Sequence, residues 1–151
     1  MKLAWPAFML SLLIFSVACS EKRALDPIIV RVFRDPASKE IESTILALGQ
    51  MSLKTSKGHP ILIATLEPRT YAEGLEHLAN KGCQLIVFNS QEDAKKVEIE
   101  IPPQSLLEVS TRRYFIVVPN WVAGEEREAA QIVSANFRGE LSKSGNSTKA
   151  Q

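Results

Sequence analysis

The apolar residues of this chain fall into short runs that alternate with stretches of helical periodicity. Four runs rich in Ile, Val, Leu and Phe have the composition of buried strands and cover residues 28–33, 61–66, 84–88 and 114–118. Elsewhere apolar positions recur every three or four residues, which predicts helices over residues 36–51, 70–81, 90–96 and 125–137. This alternation indicates an α/β fold, a three-layer α/β/α arrangement in which a mostly parallel sheet of about four or five strands forms a single lobe.

Weaker patterns mark the edges and ends of this domain. Residues 97–101 alternate between apolar and acidic side chains (VEIEI), which predicts an edge strand, and residues 106–109 form a further short apolar run. Residues 20–27 are expected to form a tether. Residues 141–151 are rich in Ser, Lys, Gly and Asn, so we expect a disordered tail there and a folded domain over residues 28–140.

Residues that can cap a helix stand at the start of three of the predicted helices. Asp35 precedes Pro36, a combination typical of an N-cap followed by the first helical residue. Thr70 and Glu73 have the S/T-x-x-E spacing of a capping box, and Ser90 precedes the third helix in the same way. These local signals support the boundaries between strands and helices.

The first 19 residues are typical of an export signal. Lys2 precedes an apolar run that is shorter than the ~20 residues of a membrane-spanning helix. Ser16-Val17-Ala18-Cys19 then resembles a bacterial lipobox, in which the cysteine receives fatty acyl chains such as palmitate and becomes the mature N-terminus. We therefore expect lipidation at Cys19 and anchoring in the cell envelope, with the domain facing the periplasm or the exterior. The alternative is an ordinary signal peptide, or an uncleaved anchor, in which Cys19 has no such role.

Composition narrows the classes of function. Removing residues 1–19 from the 151 leaves 132, and because Lys2 is the one charge removed, 17 basic and 17 acidic side chains remain. Such a balance gives no support for a nucleic-acid partner. His59, His77 and Cys83 stand apart from one another and from acidic clusters, so no metal and no cofactor are expected. The chain has no nucleophile elbow and no Gly-rich phosphate loop, so we expect a protein that is not an enzyme.

The expected chemistry lies at the turns that follow the strands. Open α/β sheets bind ligands outside the carboxyl ends of their strands, where helix N-termini also favour an anion. The alternative is that the short polar residues at these turns only cap their helices. The candidate ligand-binding residues are Arg34, Asp35, Ser38, Arg69, Thr70, Asn89 and Ser90.

Several of these features together resemble a known family. Residues 75–82 lead into the strand QLIVF at residues 84–88, and a later strand ends in Val117-Val118-Pro119. This order is similar to the first lobe of type 2 periplasmic solute-binding proteins, the molybdate- and phosphonate-type receptors of ABC transporters, over residues 28–120. The resemblance implies an oxyanion ligand held near Ser38 and near Arg69-Thr70, and a transporter as partner. The second lobe of that family is missing, because the strand that ends at Val118 runs almost directly into the last helix.

Two functions are therefore expected from the sequence. The first is a membrane-anchored envelope lipoprotein whose solute-binding-like domain binds a small oxyanion as a transport accessory or sensor. The alternative is an envelope lipoprotein that binds another protein and has no small-molecule ligand, as the missing lobe suggests, since small ligands are usually buried between walls.

Overall fold

The computed structural model describes residues 23–66, 68–78 and 82–147, which contain five strands, four α-helices and a short 3₁₀ turn. Residues 1–19, for which an export signal and lipidation at Cys19 are expected, lie outside the described residues. The strands are β1 (Ile28–Phe33), β2 (Ile61–Leu66), β3 (Leu85–Phe88), β4 (Leu106–Val109) and β5 (Arg112–Val117). The helices are α1 (Lys39–Gly49), α2 (Tyr71–His77), α3 (Gln91–Lys96) and α4 (Gly124–Ser147), and the 3₁₀ turn is Pro103–Ser105.

The five strands form one open sheet in the order β2-β1-β3-β5-β4. β1 pairs in parallel with β2 and with β3, as the alternation of strands and helices predicts. β5 pairs antiparallel with both β3 and β4. The fold is therefore mixed α/β, and the expected mostly parallel sheet is found in part: the sheet is parallel at its centre and antiparallel where β5 and β4 join it. β4 and β5 are joined by a tight turn in which Ser110 has a positive φ of 55°, and so short a connection can only join antiparallel strands.

Hydrophobic residues pack on both sides of the sheet. Val30 and Val32 of β1 belong to one cluster, which includes buried residues of α1 and α4, whereas the adjacent Phe33 belongs to a second cluster with residues of α2 and α3. The residues of β3 alternate between the clusters in the same way, with Leu85 and Val87 in the first and the other two in the second. Successive side chains of a strand point to opposite faces, which accounts for the division of neighbouring residues between the two clusters.

The start of α1 and the segment that follows α3 differ from the prediction. α1 begins at Lys39 and its N-cap is Ser38, while Asp35 instead accepts a hydrogen bond from the Ala37 N–H at 2.9 Å in a turn before the helix. Residues 97–101 form no strand. The alternation there has a different cause, because Val97, Ile99 and Ile101 pack against the second cluster while Glu98 and Glu100 are exposed.

The last helix is longer than expected. α4 extends over 24 residues to Ser147, so residues 141–147 are helical rather than part of a disordered tail, and residues 148–151 lie outside the described residues. Its apolar stripe continues through Val133, Phe137 and Leu141, each fully buried, at intervals of four residues. Burial of Leu141 stabilises a helical turn whose polar composition suggested disorder. No helix in the described part of the chain is both long and apolar enough to cross a membrane.

Candidate functional site

The loops that follow β1 and β3 meet at the carboxyl edge of the sheet. Because these strands are parallel neighbours, Asp35 and Asn89 come together, and Asn89 Nδ2 donates a hydrogen bond to Asp35 Oδ2 at 2.8 Å. The other carboxylate oxygen of Asp35 accepts from the backbone N–H of Ala37. Two of the predicted site residues are thus held in one hydrogen-bonded unit.

The first residues of β5 reach the same edge. Since β5 runs opposite to β3, its N-terminal residues lie beside the carboxyl end of β3, with Phe88 opposite Phe115. A cavity of about 320 Å³ opens at this place, and we call it the carboxyl-edge cavity. Its lining residues are Asp35, Ser38, Asn89, Arg112, Arg113 and Tyr114.

Ser38 connects the cavity to the N-terminus of α1. Its Oγ accepts from the backbone N–H of Ile41 at 3.5 Å, a long capping bond. The N-terminal end of a helix carries partial positive charge, so the wall formed by Ser38 favours an anionic group.

The two arginines of the cavity are mostly exposed and each is paired with one carboxylate. Arg112 Nη1 lies 3.3 Å from Glu40 Oε2, and Arg113 Nε lies 2.9 Å from Glu108 Oε1. Their side chains are 60% and 70% exposed, so both ion pairs contribute little to stability and a bound anion can compete with them.

Tyr114 supplies a hydroxyl that is buried beside these charges. Its hydroxyl donates to Glu40 Oε2 at 2.8 Å. Burial is the main cause that raises the pKa of Tyr114, and the hydrogen bond to the Glu40 carboxylate raises it further. The phenol therefore stays protonated and acts as a donor. Glu40 therefore accepts from both Tyr114 and Arg112 and positions them at the cavity wall.

A second hydrogen-bond network, formed by Tyr71 and Asp93, holds the backbone of Asn89. The backbone N–H of Asn89 donates to the hydroxyl of Tyr71 at 3.0 Å, and this hydroxyl donates to Asp93 Oδ2 at 3.1 Å. Lys96 completes the network with a 3.2 Å ion pair to Asp93, and the ring of Tyr71 stacks on that of Phe33. Burial raises the pKa of Tyr71 well above its usual range, so this hydroxyl also stays protonated. Asn89 is thus fixed through both its backbone and its side chain.

The other predicted site residues do not line the carboxyl-edge cavity. Thr70 caps α2 by accepting from the Glu73 N–H at 3.1 Å, and Ser90 caps α3 by accepting from the Asp93 N–H at 3.3 Å. Arg69 is exposed beside Thr70, after β2, on the side of β1 away from β3. Arg34 Nη1 donates to the carbonyl of Asp35, and its buried Nε has no partner among the described residues. The first and third turns therefore meet in one cavity, and the second does not.

Arg112, Arg113 and Tyr114 were missed as site residues. The pair of arginines before a strand was visible in the sequence, but a parallel β5 would carry them to the opposite end of the sheet. Only the antiparallel direction of β5 brings them to the carboxyl edge. The short link between the predicted runs 106–109 and 114–118 indicated a hairpin, but no local pattern specified how β5 would lie relative to β3.

A larger cavity beneath α2 has little polar surface. It has a volume of about 330 Å³ and lies among residues that include Phe33, Leu66, Pro68 and Cys83. Burial raises the pKa of the Cys83 thiol to about 12, so it is not a nucleophile at neutral pH. Among the described residues, no three His, Cys, Asp or Glu side chains are grouped so that they could hold a metal ion.

Comparison with known proteins finds no family model that matches this chain, and no similar curated protein or solved structure.

Proposed function

We propose that this chain is an envelope lipoprotein, anchored through Cys19, whose domain binds a small oxyanion at the carboxyl-edge cavity as an accessory or sensor of a transport system. The observation that carries the proposal is the convergence of Ser38, Asn89, Arg112 and Arg113 on one cavity at the carboxyl edge of the sheet. The proposed architecture is three-layer α/β/α, with α1 and α4 on one face and α2 and α3 on the other, supported by the two separate hydrophobic clusters.

Each side chain has a defined part in this binding. Arg112 and Arg113 form charge-assisted hydrogen bonds with the ligand, which are about twice as strong as neutral ones. Ser38 contributes a hydroxyl and the N-terminal charge of α1. Tyr114 and Glu40 position Arg112.

Asp35 determines which oxyanion fits. Its carboxylate lines the cavity and repels a fully ionised ligand. An anion that retains a proton can instead donate a hydrogen bond to Asp35. Phosphate and phosphonates carry such a proton near neutral pH, whereas sulfate and molybdate do not, so the proposed ligand is a phosphate or a phosphonate. An open cavity in a single lobe leaves much of the ligand in water, so binding should be weak.

Calorimetric titration of the purified protein tests this proposal. Phosphate and methylphosphonate should release or absorb heat on binding, and sulfate and molybdate should bind more weakly. Arg112→Ala should weaken phosphate binding about tenfold or more, because a charge-assisted hydrogen bond contributes about 1.5–3 kcal/mol. Arg69→Ala is the matched control, since Arg69 is an exposed arginine at a turn outside the cavity. No heat from any of the four anions, with an unchanged melting temperature at millimolar concentration, would reject the ligand.

The membrane anchor is tested separately. In a bacterial host, wild-type protein should partition into the detergent phase of a Triton X-114 extract, whereas Cys19→Ala should remain an unprocessed precursor or appear in the aqueous phase. Equal partition and equal mature mass for both proteins would exclude lipidation at Cys19.

The alternative, a protein-binding lipoprotein without a small ligand, is favoured by one apolar surface. Ile29 and Leu62 are register partners on β1 and β2, and they are 41% and 52% exposed. β2 is also an edge strand of the sheet. An exposed apolar edge strand is a common site for pairing with another chain. Substituting Leu62→Lys should abolish such pairing in a cross-linking experiment and leave anion binding unchanged.

A further inference from the structure

A second polar cavity lies between α4 and the start of the β4–β5 hairpin, away from the carboxyl-edge cavity. It has a volume of about 280 Å³. One wall consists of Arg127, Gln131, Ser134 and Arg138 on α4, and the apolar Ile116 and Val118 also line it. The opposite side is formed by Pro102, Gln104 and Ser105. We call this cavity the arginine groove.

The two arginines mark the ends of this groove. Arg127 and Arg138 are eleven residues apart on one helix, which amounts to three turns and about 20° more. Both therefore lie on the same face of α4, about 16 Å apart along its axis, with Gln131 and Ser134 between them on that face.

Both guanidinium groups are held in position by backbone carbonyls. Arg127 Nη1 donates to Pro119 O at 3.2 Å and to Val122 O at 3.1 Å. Arg138 Nη2 donates to Gln104 O at 2.7 Å, and its Nη1 lies 3.4 Å from Leu106 O. Such bonds fix the orientation of each group before any ligand arrives, which lowers the entropy cost of binding.

Neither arginine has a counterion in the part of the chain that the structure describes. Arg112 and Arg113 each pair with a carboxylate, but no carboxylate lies within ion-pair distance of Arg127 or Arg138, and no acidic residue lines the groove. Both side chains are partly buried, and burial lowers the pKa of Arg138. Two partly desolvated cations without counterions are costly unless an anionic group pairs with them.

We propose that the arginine groove binds an extended acidic peptide segment of a partner protein, with one carboxylate at each arginine. A single small anion can reach one arginine only, because the two are so far apart. In an extended chain, side chains four residues apart lie on one side and about 13 Å from each other, and the flexible side chains of two acidic residues can cover the rest of the distance to the two guanidinium groups. Gln104, Gln131 and Ser134 offer hydrogen bonds to the peptide backbone, and Ile116 and Val118 provide an apolar surface. This inference does not depend on the oxyanion proposal.

Fluorescence anisotropy with the full processed protein in detergent tests the groove. The probe is a labelled Gly/Ser peptide that carries two glutamates four residues apart. The same peptide with two glutamines, and one with adjacent glutamates, serve as ligand controls, since they leave the protein unchanged. The first peptide should bind at least about tenfold more tightly than either control, because only it places a carboxylate at both arginines. Equal affinity for the three peptides would overturn the proposal.

Protein variants locate the binding site. Arg127→Gln and Arg138→Gln should each weaken binding of the two-glutamate peptide about tenfold, and Lys95→Gln, which removes one exposed charge on α3, should not. Arg112→Ala should also leave peptide binding unchanged while it weakens phosphate binding, so failure of one proposal is distinguishable from failure of the other. Equal peptide binding by wild-type protein and folded Arg138→Gln, judged by circular dichroism, would exclude the groove. If that variant does not fold, the three-peptide comparison on wild-type protein decides the proposal.

Discussion

A pair of glycine substitutions tests how closely α2 packs on the sheet. Gly74 lies inside α2, and a β-carbon at this position would be 2.7 Å and 2.8 Å from Pro68 Cγ and Cβ and would also overlap the ring of Phe33. Carbon atoms in contact normally lie about 3.5–4.0 Å apart. Gly139 lies inside α4, and a β-carbon there has no heavy atom of another part of the protein within 4 Å. Gly74→Ala and Gly139→Ala are therefore the same chemical change in a crowded and in an open helical position.

The two variants should differ in stability. Alanine is favoured over glycine inside a helix by about 1 kcal/mol, so Gly139→Ala should raise the free energy of unfolding by about that amount. Gly74→Ala gains the same helix propensity, but overpacking costs about 1–3 kcal/mol, so it should be neutral or destabilised by up to about 2 kcal/mol.

Urea unfolding followed by circular dichroism measures both free energies. The informative quantity is the difference in the free energy of unfolding between the two variants, which should be about 1–3 kcal/mol. Helix propensity cancels in this difference because both variants replace glycine by alanine inside a helix. If Gly74→Ala gains as much stability as Gly139→Ala, α2 does not lie against Phe33 and Pro68, and the stacking of Tyr71 on Phe33 is then incorrect as well.

Three further predictions concern single side chains. Tyr71→Phe removes the hydroxyl that joins Asn89 to Asp93 and should lower the free energy of unfolding by about 1 kcal/mol in urea; an unchanged value would show that this network contributes nothing. The hydrogen bond from Thr55, with His59 and Lys57 nearby, lowers the pKa of Glu125. The stabilisation that Glu125 provides is therefore present above its unfolded pKa of about 4.3 and is lost as the pH falls through the lowered value. The stability difference between wild-type protein and Glu125→Gln should shrink in acid, and a difference that is independent of pH would contradict this. The buried thiol of Cys83 should not react with Ellman's reagent at pH 8 in the folded Cys19→Ala protein and should react on addition of urea, whereas rapid reaction in the folded state would mean that it is accessible.

Local patterns predicted most of the secondary structure because local physics decides it. Runs of β-branched and apolar residues correspond to β1, β2, β3 and β5, with boundaries within two residues of those observed. Thr70 and Ser90 cap their helices as their spacing predicted, since a capping bond involves only residues a few positions apart. Ser38 rather than Asp35 caps α1, because both residues can cap a helix and the turn at Asp35 is stabilised by its contact with Asn89.

Properties that depend on distant partners were not predictable in the same way. Residues 97–101 alternate like a strand, but both neighbours of β3 are already occupied by β1 and β5, so the segment packs by its isoleucines instead. The end of α4 looked disordered from its composition, and Leu141 is buried only because the rest of the first cluster is present.

The sequence by itself determined most of the elements, the caps of α2 and α3 and the positions of the polar turns, because hydrophobic periodicity and capping are properties of neighbouring residues. Only the tertiary structure decided that the turns after β1 and β3 meet in one cavity and that the turn after β2 does not. The β4–β5 hairpin reverses β5 and so brings Arg112, Arg113 and Tyr114 to the carboxyl edge, while Arg69 and Thr70 stay outside the cavity. The direction of a strand depends on its connection and its partner, and the side chains around both cavities depend on that direction in turn.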